Sequence, residues 1–428
     1  MFSQIRLPIT FLAATSCAQS ILPNFTNFWD VSPPLDYNDT LYAGWSQLPA
    51  LAEVEVYNGV DTNRTYAHHP EIYARNNSVY LIHSSGLVDE DSMGQNVWLT
   101  TSTDGGFTWT PSMEILPSAL LPNQTSELNF SYWCNEGIQQ RALGALTIID
   151  YNETLYALGE TTNFWCAGSL GSGNHGAGRV ARPIGYDGSI AGDPCWVEKT
   201  NWTDLVGYPG TVYGTEYGMK YCDDAAALRA ILAEPDHVPA WSAWLYNGNL
   251  YTENGVNYMQ ENTFAVWIEE LGVWQRFWRD ITATNNTMKV WVEYSATGLD
   301  WYPVAEHRYG NRILETNIPD AKTKQFLLDV GDQEERVNIL ISNPRNNSEL
   351  IRQPLTIATA RGSGLQQYKD VGVLRTNASS VIAPDTRDYK NQGFSYPTAV
   401  RVGDNLVVGY SENKENIWVS VLKIADLP

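Results

Sequence analysis

The chain has 428 residues, 43% of them hydrophobic and 12% aromatic, and its 48 acidic against 27 basic side chains give a formal net charge of −21. That balance excludes nucleic acid and an anionic membrane surface as partners, and no stretch beyond the N-terminus is long and apolar enough to span a bilayer. Sixteen Trp and 24 Tyr, with few helical patterns, favour an all-β enzyme or lectin with an aromatic, sugar-compatible surface.

Residues 1–18, MFSQIRLPITFLAATSCA, combine one Arg, an apolar run and a small-residue end. This is the pattern of a secretory signal cleaved after Ala18, which leaves 19–428 as one domain. Sequons of the N-x-S/T type recur from Asn24 to Asn377 and point to a secreted glycoprotein. With Cys17 in the signal, Cys134, Cys166, Cys195 and Cys222 allow two disulfides in three connectivities. Zinc is the weaker reading of these cysteines, because no C-x-x-C or paired His spacing accompanies them. Residues 19–65 are proline-bearing and irregular, with LYAGWS and LAEVEVYNG as two candidate strands; fold analogy alone suggests that this segment closes the structure by pairing with the last unit of the chain.

Between Tyr66 and Trp109 three apolar runs, Glu71–Ala74, Ser78–His83 and Asn96–Ser102, are separated by polar or Gly-bearing turns and predict an antiparallel meander. The last turn has the spacing S-x-D-x-G-x-x-W on Ser102, Asp104, Gly106 and Trp109. There a carboxylate ties down turn N–H groups and an indole plugs the sheet below. A second meander runs through ALGALTIID, TLYALGETT and RVARPIGYDG, with a Gly-rich loop around His175 and Arg179 before its third strand. That loop lacks a following lysine and helix, so it is not a phosphate loop. DDAAALRAILAE carries the clear helical period, capped by Asp223 or Asp224 and stopped by Pro235, and is expected as an insertion on a loop. Strand patterns resume in ENTFAVWI, VWQRFWRD and MKVWVEYS, ending in SATGLDW, a degenerate copy of the first turn with Thr297 at the carboxylate position. KTKQFLLDV, RVNILISN and PLTIATA form the next unit; SYPTAVRV, NLVVGYS and NIWVSVLKI form the last. The recurrence predicts an all-β propeller of six or seven blades, each a four-stranded antiparallel meander, with one short helical insertion.

The Ser102–Trp109 turn resembles the Asp box of sialidase-like β-propellers. In that family the box joins third and fourth strands opposite the active face, so first-strand starts and second-strand ends share one mouth. The resemblance therefore implies that His69 and His83 face one pocket together with Arg141, Glu261, Asn317, Tyr396, Arg279, Asn343 and Lys414, with His175, Arg179 and Arg182 added from loops. Sialidases themselves open the first strand with an R-I-P arginine, complete a carboxylate-binding Arg triad and use a Tyr/Glu nucleophile pair. Here His68-His69-Pro70 stands at the R-I-P position.

HHPEI, SSGLVDEDSMGQNVWLTTSTDGG, ARPIGYDG, TNIPD and SYPTAV with YSENKENI are similar to the secreted sialidase-fold polysaccharide lyases, which include propeller ulvan lyases and rhamnosyl-glucuronate lyases acting on gum arabic. This resemblance implies β-elimination on a uronate. Removing the proton beside a carboxylate requires neutralising that carboxylate, and His or Tyr then serves as base and acid. On this expectation His83 and His69, with Tyr132 or Tyr217, handle the protons. Arg182, Arg279 and Arg141 hold the carboxylate, and His175, Glu261 and Tyr396 contact the sugar. The expected partner is an acidic plant-type polysaccharide or oligosaccharide, acted on outside the cell by a monomer. One rival is an exo-glycoside hydrolase with Glu261 opposite Asp320 or Glu216; another is a glycan-binding propeller without chemistry. Asp89-Glu90-Asp91 lacks an EF-hand spacing and is expected to be a solvated turn, so neither calcium nor any other metal or cofactor is expected.

Overall fold

The computed structural model describes residues 25–90, 94–117, 119–120, 140–164, 175–199, 220–237, 250–251, 258–284, 287–299, 313–330, 336–345, 351–362, 367–382 and 390–428. Within them the strands form five sheets, and nearly every strand pair is antiparallel. The first sheet runs in chain order from Tyr66–Arg75 through Ser78–Gly86 and Asn96–Ser102 to Met113–Leu116. Leu81 and Val79 alternate with Ile82 and Tyr80 toward its two faces, and both faces are buried against neighbouring sheets. This is the packing of propeller blades, each sharing an apolar core with the next.

A second sheet holds Gln140–Tyr151, Thr154–Phe164, His175–Ile184 and Cys195–Lys199; a third is built around Val273–Asp280 and Lys289–Ser295. Phe326–Val330, Val337–Ser342, Leu355–Arg361 and Asp370–Arg375 make the fourth. In the fifth, Gln392–Val402, Asn405–Glu412 and Asn416–Lys423 are completed on the outside by Ala52–Tyr57, paired antiparallel from Ala52 opposite Val421 to Tyr57 opposite Ile417. The N-terminal strand thus supplies the outer edge of the C-terminal sheet and ties the chain ends together, as fold analogy suggests; LYAGWS, the other candidate strand, is a turn from Leu41 to Gly44, where Asp39 accepts the N–H groups of Leu41, Tyr42 and Gly44.

The helix spans Ala225–Leu232 and packs Leu228 and Leu232 against Leu158 and Val197 of the second sheet. Asp224 stands at its N-terminus, but its carboxylate accepts a hydrogen bond from the Tyr156 hydroxyl at 2.6 Å instead of capping the helix. A Cys195–Cys222 disulfide holds the helix approach to the outer strand; Cys134 and Cys166 lie outside the described residues.

The Asp box forms as its residue types require. Asp104 accepts hydrogen bonds from the N–H groups of Phe107 and Thr108 at 3.1 and 2.9 Å and from the Ser102 hydroxyl at 2.8 Å. Trp109 donates its indole N–H to Gly106 O at 2.9 Å. Gly106, at φ +96°, adopts a conformation that favours glycine, and the added Cβ would meet Val407 at 3.0 Å. The hydrogen bonds outweigh desolvation and lower the Asp104 carboxyl to about 2. The degenerate copy keeps the serine: Gly298 N–H donates to Ser295 Oγ at 2.8 Å and Leu299 N–H to Thr297 Oγ1 at 3.1 Å.

Candidate active site

The mouth opposite the Asp box gathers side chains from the first, third and fifth sheets and the loops beside them, and the backbone explains how. Along Tyr66–Arg75 the pairing shifts between His68, opposite Ser84, and Glu71, opposite Ile82, so one extra residue is accommodated. His69 lies in this bulge at φ +51°, and the rings of His68 and His69 come to 4.6 Å between centroids. Gln392–Val402 repeats the device: the pairing shifts between Ser395 and Thr398, and Tyr396 lies in the bulge at φ +53°. Glu261, at φ +58°, follows Gln260, whose register partner is Arg279.

The result is a linked cluster. Tyr396 donates its hydroxyl hydrogen to Glu261 Oε1 at 2.5 Å, and Arg279 Nη1 donates to Glu261 Oε2 at 2.6 Å and to the Tyr396 oxygen at 3.2 Å. Burial favours the neutral carboxyl of Glu261, but Arg279 and the phenol hold it below its ordinary value. Tyr396 moves the other way: burial and the Glu261 charge push its phenol well above the usual value, so the pair rests as phenol and carboxylate.

Arg352 lies over the Tyr396 ring with its guanidinium carbon 5.9 Å from the centroid, and 4% of its surface is exposed. Its Nε and Nη1 make no hydrogen bond among the described residues, nor does Arg279 Nε. Burial, with the Arg279 charge beside it, lowers its pKa. Two guanidinium groups with spare buried donors beside one phenol form an anion-binding wall.

On the other side His68 Nδ1 is 2.7 Å from Ser411 Oγ, and His69 Nδ1 is 3.1 Å from Ser84 Oγ. Both present Nε2 toward Glu90, at 4.0 Å for His68 and 3.4 Å for His69. Lys414 binds the other Glu90 oxygen, and this charge, against the burial cost, keeps the carboxylate well below its ordinary pKa. Glu90, expected in a solvated turn, instead folds inward because a buried ammonium receives it. Among the described residues, His68, His69 and Glu90 are the group whose ligand atoms converge enough to hold a metal ion.

Beneath the cluster Asp320 is 1% exposed, accepts a hydrogen bond from Thr323 N–H at 3.3 Å and is raised to about 7 by burial. Lys324 and Glu71 form a buried ion pair at 2.9 Å, with Lys324 Nζ 5.8 Å from the Tyr396 ring centroid.

Of the residues expected from sequence, the structure brings His69, Glu261, Arg279, Tyr396 and Lys414 together. His83 does not join them. Its neighbour Ser84 faces the cluster, and strand alternation turns the His83 ring the other way onto Tyr57, 4.6 Å between centroids, where burial lowers its pKa to about 4. Arg182 is also elsewhere: its guanidinium donates to Gly192 O and Ile115 O, each at 2.9 Å, and staples the first two sheets. Asn317 binds Asn27 and Trp29, Asn343 donates to three backbone carbonyls, and Arg179 pairs with Glu198. Arg141 and His175 stand in the Gln140–Tyr151 and His175–Ile184 strands, but their side chains lie outside what is described; Tyr132, Tyr217 and Glu216 lie outside the described residues. Arg352, Glu90 and His68 were missed. The signal available for His68 was the pre-proline pair His68-His69, and for Glu90 the unusual acidic turn following a second strand.

A family model described as "BT_1020-like, N-terminal beta propeller" matches residues 53–210. No curated protein matches the sequence. Among solved structures, the chain is similar to one titled "Sialidase", at 17% identity and a TM-score of 0.62, over 94% of this chain and 35% of that one. It is also similar to "Hadza microbial sialidase Hz136", at 12% identity and a TM-score of 0.52, over 88% of this chain and 69% of that one. The chain thus spans about a third of the length of the first of these proteins. The fold is a β-propeller of the sialidase-like type.

Proposed function

We propose that the protein is a secreted exo-glycosidase that hydrolyses the terminal bond of a carboxylate-bearing sugar with retention, using Tyr396 as nucleophile. The observation that carries this reading is the 2.5 Å hydrogen bond from Tyr396 to Glu261 with Arg279 across both. A phenol is inert at neutral pH unless a base is in contact with it, and Glu261 is that base. A neutral nucleophile also suits an acidic sugar, because a carboxylate at that position would repel the substrate's own charge. Arg352 and Arg279 hold the substrate carboxylate.

In the first step the Tyr396 oxygen attacks the anomeric carbon, its proton passes to Glu261 and the glycosidic oxygen leaves with a proton from His69. Glu90 and Ser84 orient that imidazole from its two nitrogens. Water then attacks the anomeric carbon and gives its proton to His69 while the bond from that carbon to the Tyr396 oxygen breaks, and Glu261 returns its proton to the departing phenolate.

The juxtaposition of two imidazoles with Tyr396, 4.0 and 5.2 Å between ring centroids, supports a second reading, β-elimination on a uronate as in the propeller lyases. One experiment separates the two. The protein is incubated with gum arabic, other uronate glycans and oligosaccharides ending in sialic or related sugar acids, while reducing ends and the ultraviolet absorbance of an unsaturated uronate are followed together. Reducing ends without absorbance mean hydrolysis, and a joint rise means elimination. No product from any acidic glycan, with binding retained, would leave a glycan-binding propeller.

A further inference from the structure

Successive residues of a strand point to opposite faces, yet His68 and His69 face the same way because a bulge intervenes and His69 is held at φ +51°. Each ring is fixed through Nδ1 by a serine, Ser411 at 2.7 Å and Ser84 at 3.1 Å. The Nε2 of each is directed at Glu90 Oε1, from 4.0 Å for His68 and 3.4 Å for His69. One ligand atom from each of His68, His69 and Glu90 lies within 4.8 Å of those of the other two. His68 Nε2 is fully buried and has no hydrogen-bond partner among the described residues.

We propose that His68 Nε2, His69 Nε2 and Glu90 Oε1 form a reversible binding site for a borderline divalent cation of the Zn2+ type. Two imidazoles and one carboxylate, with the remaining positions open to water, are a donor set such ions favour over calcium or magnesium. The two serines supply the outer contacts that orient ligating histidines. Metal–ligand bonds of about 2.0–2.2 Å require these atoms to draw together by less than roughly 1.5 Å, a side-chain adjustment. Lys414 holds the second Glu90 oxygen, and Oε1, which accepts the Tyr66 hydroxyl at 3.3 Å, keeps a lone pair for the ion. The Lys414 charge and that of Arg352 also act on His68 and oppose a cation, so the site is weaker than a structural zinc site. The ion takes the lone pairs that carry the proton in the hydrolysis proposed above and so inhibits it. That consequence rests on that reading; the binding does not.

The test is metal binding itself, on the full-length protein freed of metal. Zn2+ is titrated calorimetrically and Co2+ by visible absorption, in the parent, His68→Ala and Ser411→Ala proteins. One ion per chain is expected, with a Co2+ spectrum lacking thiolate charge-transfer bands. Affinity should fall at least about 100-fold in His68→Ala and roughly 10-fold in Ser411→Ala, which keeps every ligand. No binding in the parent, or binding within about twofold of it in Ser411→Ala and in a folded His68→Ala protein, overturns the site. Binding of the ion to the parent without inhibition of its hydrolysis would leave the site standing and count against the role given to His69 in the hydrolytic reading.

Discussion

His69 and Tyr396 occupy the same position in two different blades. Each precedes a proline, each lies in a one-residue bulge at the start of an inner strand, and their backbones are at φ +51° and +53° with the rings 5.2 Å apart. A non-glycine residue held in the left-handed region costs of order 1–3 kcal/mol and persists where surrounding structure determines it. Here the bulge redirects a side chain that regular pleating would send between blades, and it does so once for the imidazole and once for the phenol.

If that phenol is the nucleophile, Tyr396→Phe removes the bond-forming oxygen while leaving the ring on His68. Turnover is expected to fall by at least about 1,000-fold with KM little changed. Glu261→Gln keeps the shape and removes the base, and is expected to cost a similar factor. The double variant should be no worse than either single one, because the two act as a unit. Parallel kcat and KM measurements check this; Tyr396→Phe retaining a tenth or more of the parent rate would remove Tyr396 from the chemistry.

Much of the fold was legible because periodicity and turn chemistry are local. The Asp-box spacing located the turn and the alternating runs located the strands, whereas LAEVEVYNG and LYAGWS read alike as candidate strands and only the first is one, because Asp39 gathers the N–H groups of the second into a turn. The site was legible only in part. Glu261, Arg279 and Tyr396 follow from strand polarity, but polarity says only that His83 ends its strand at the mouth and not which face its ring takes; the bulge in the first strand sets His69 against Ser84, and His83, one residue earlier, turns to the other face. Arg352 and Glu90 were invisible for another reason. Their roles arise from contacts across some 40 to 320 residues of sequence, Arg352 with Tyr396 and Glu90 with Lys414, which no local pattern records.

His83 is buried with Nε2 lacking a hydrogen-bond partner among the described residues, which makes it a packing residue with an acid liability. Its pKa is about 4 in the fold against 6.5 for the free group, so the native state binds fewer protons than the unfolded state between those values. Stability therefore rises with pH through that window and is lost on acidification. His83→Phe should flatten this dependence by about 1–3 kcal/mol and leave turnover at neutral pH within roughly threefold of the parent. Thermal unfolding between pH 4 and 7, with kinetics at pH 7, checks both halves.

Asp320 has the opposite sign. Its carboxyl is raised from 3.8 to about 7, so the native state holds an extra proton between those values and stability falls as pH climbs through them. Asp320→Asn keeps an acceptor for Thr323 and cannot ionise. The variant is expected to melt about 1–3 °C above the parent at pH 8 and level with it near pH 4. A lower melting temperature at pH 8 would mean that the ionised carboxylate is needed beside Arg279 and Arg352.

Arg352 should matter for binding an anion more than for shape. Arg352→Leu removes a buried cation whose Nε and Nη1 have no hydrogen-bond partner among the described residues, so the folded protein should be no less stable and its melting temperature equal or higher. On acidic substrates kcat/KM should fall by about 100-fold or more, the worth of a charge-assisted bidentate contact. Esterifying the substrate carboxyl should cost the parent enzyme nearly as much and the variant little. Equal sensitivity of both proteins to esterification would place the carboxylate elsewhere.

The Lys324–Glu71 pair near the cluster is a different case, because both charges are nearly inaccessible and the Thr398 hydroxyl completes Glu71 at 3.4 Å. Lys324→Met strands the carboxylate among buried groups and is expected to destabilise the protein by about 3–5 kcal/mol, and Glu71→Leu should do comparable harm by stranding the ammonium. Changing both together removes the uncompensated charge along with the attraction, so the double variant should recover most of the loss, within about 1 kcal/mol of the parent. Denaturant unfolding of the four proteins closes the cycle. A double variant as unstable as the sum of the singles would show that the pair is held by its other contacts and not by its opposite charges.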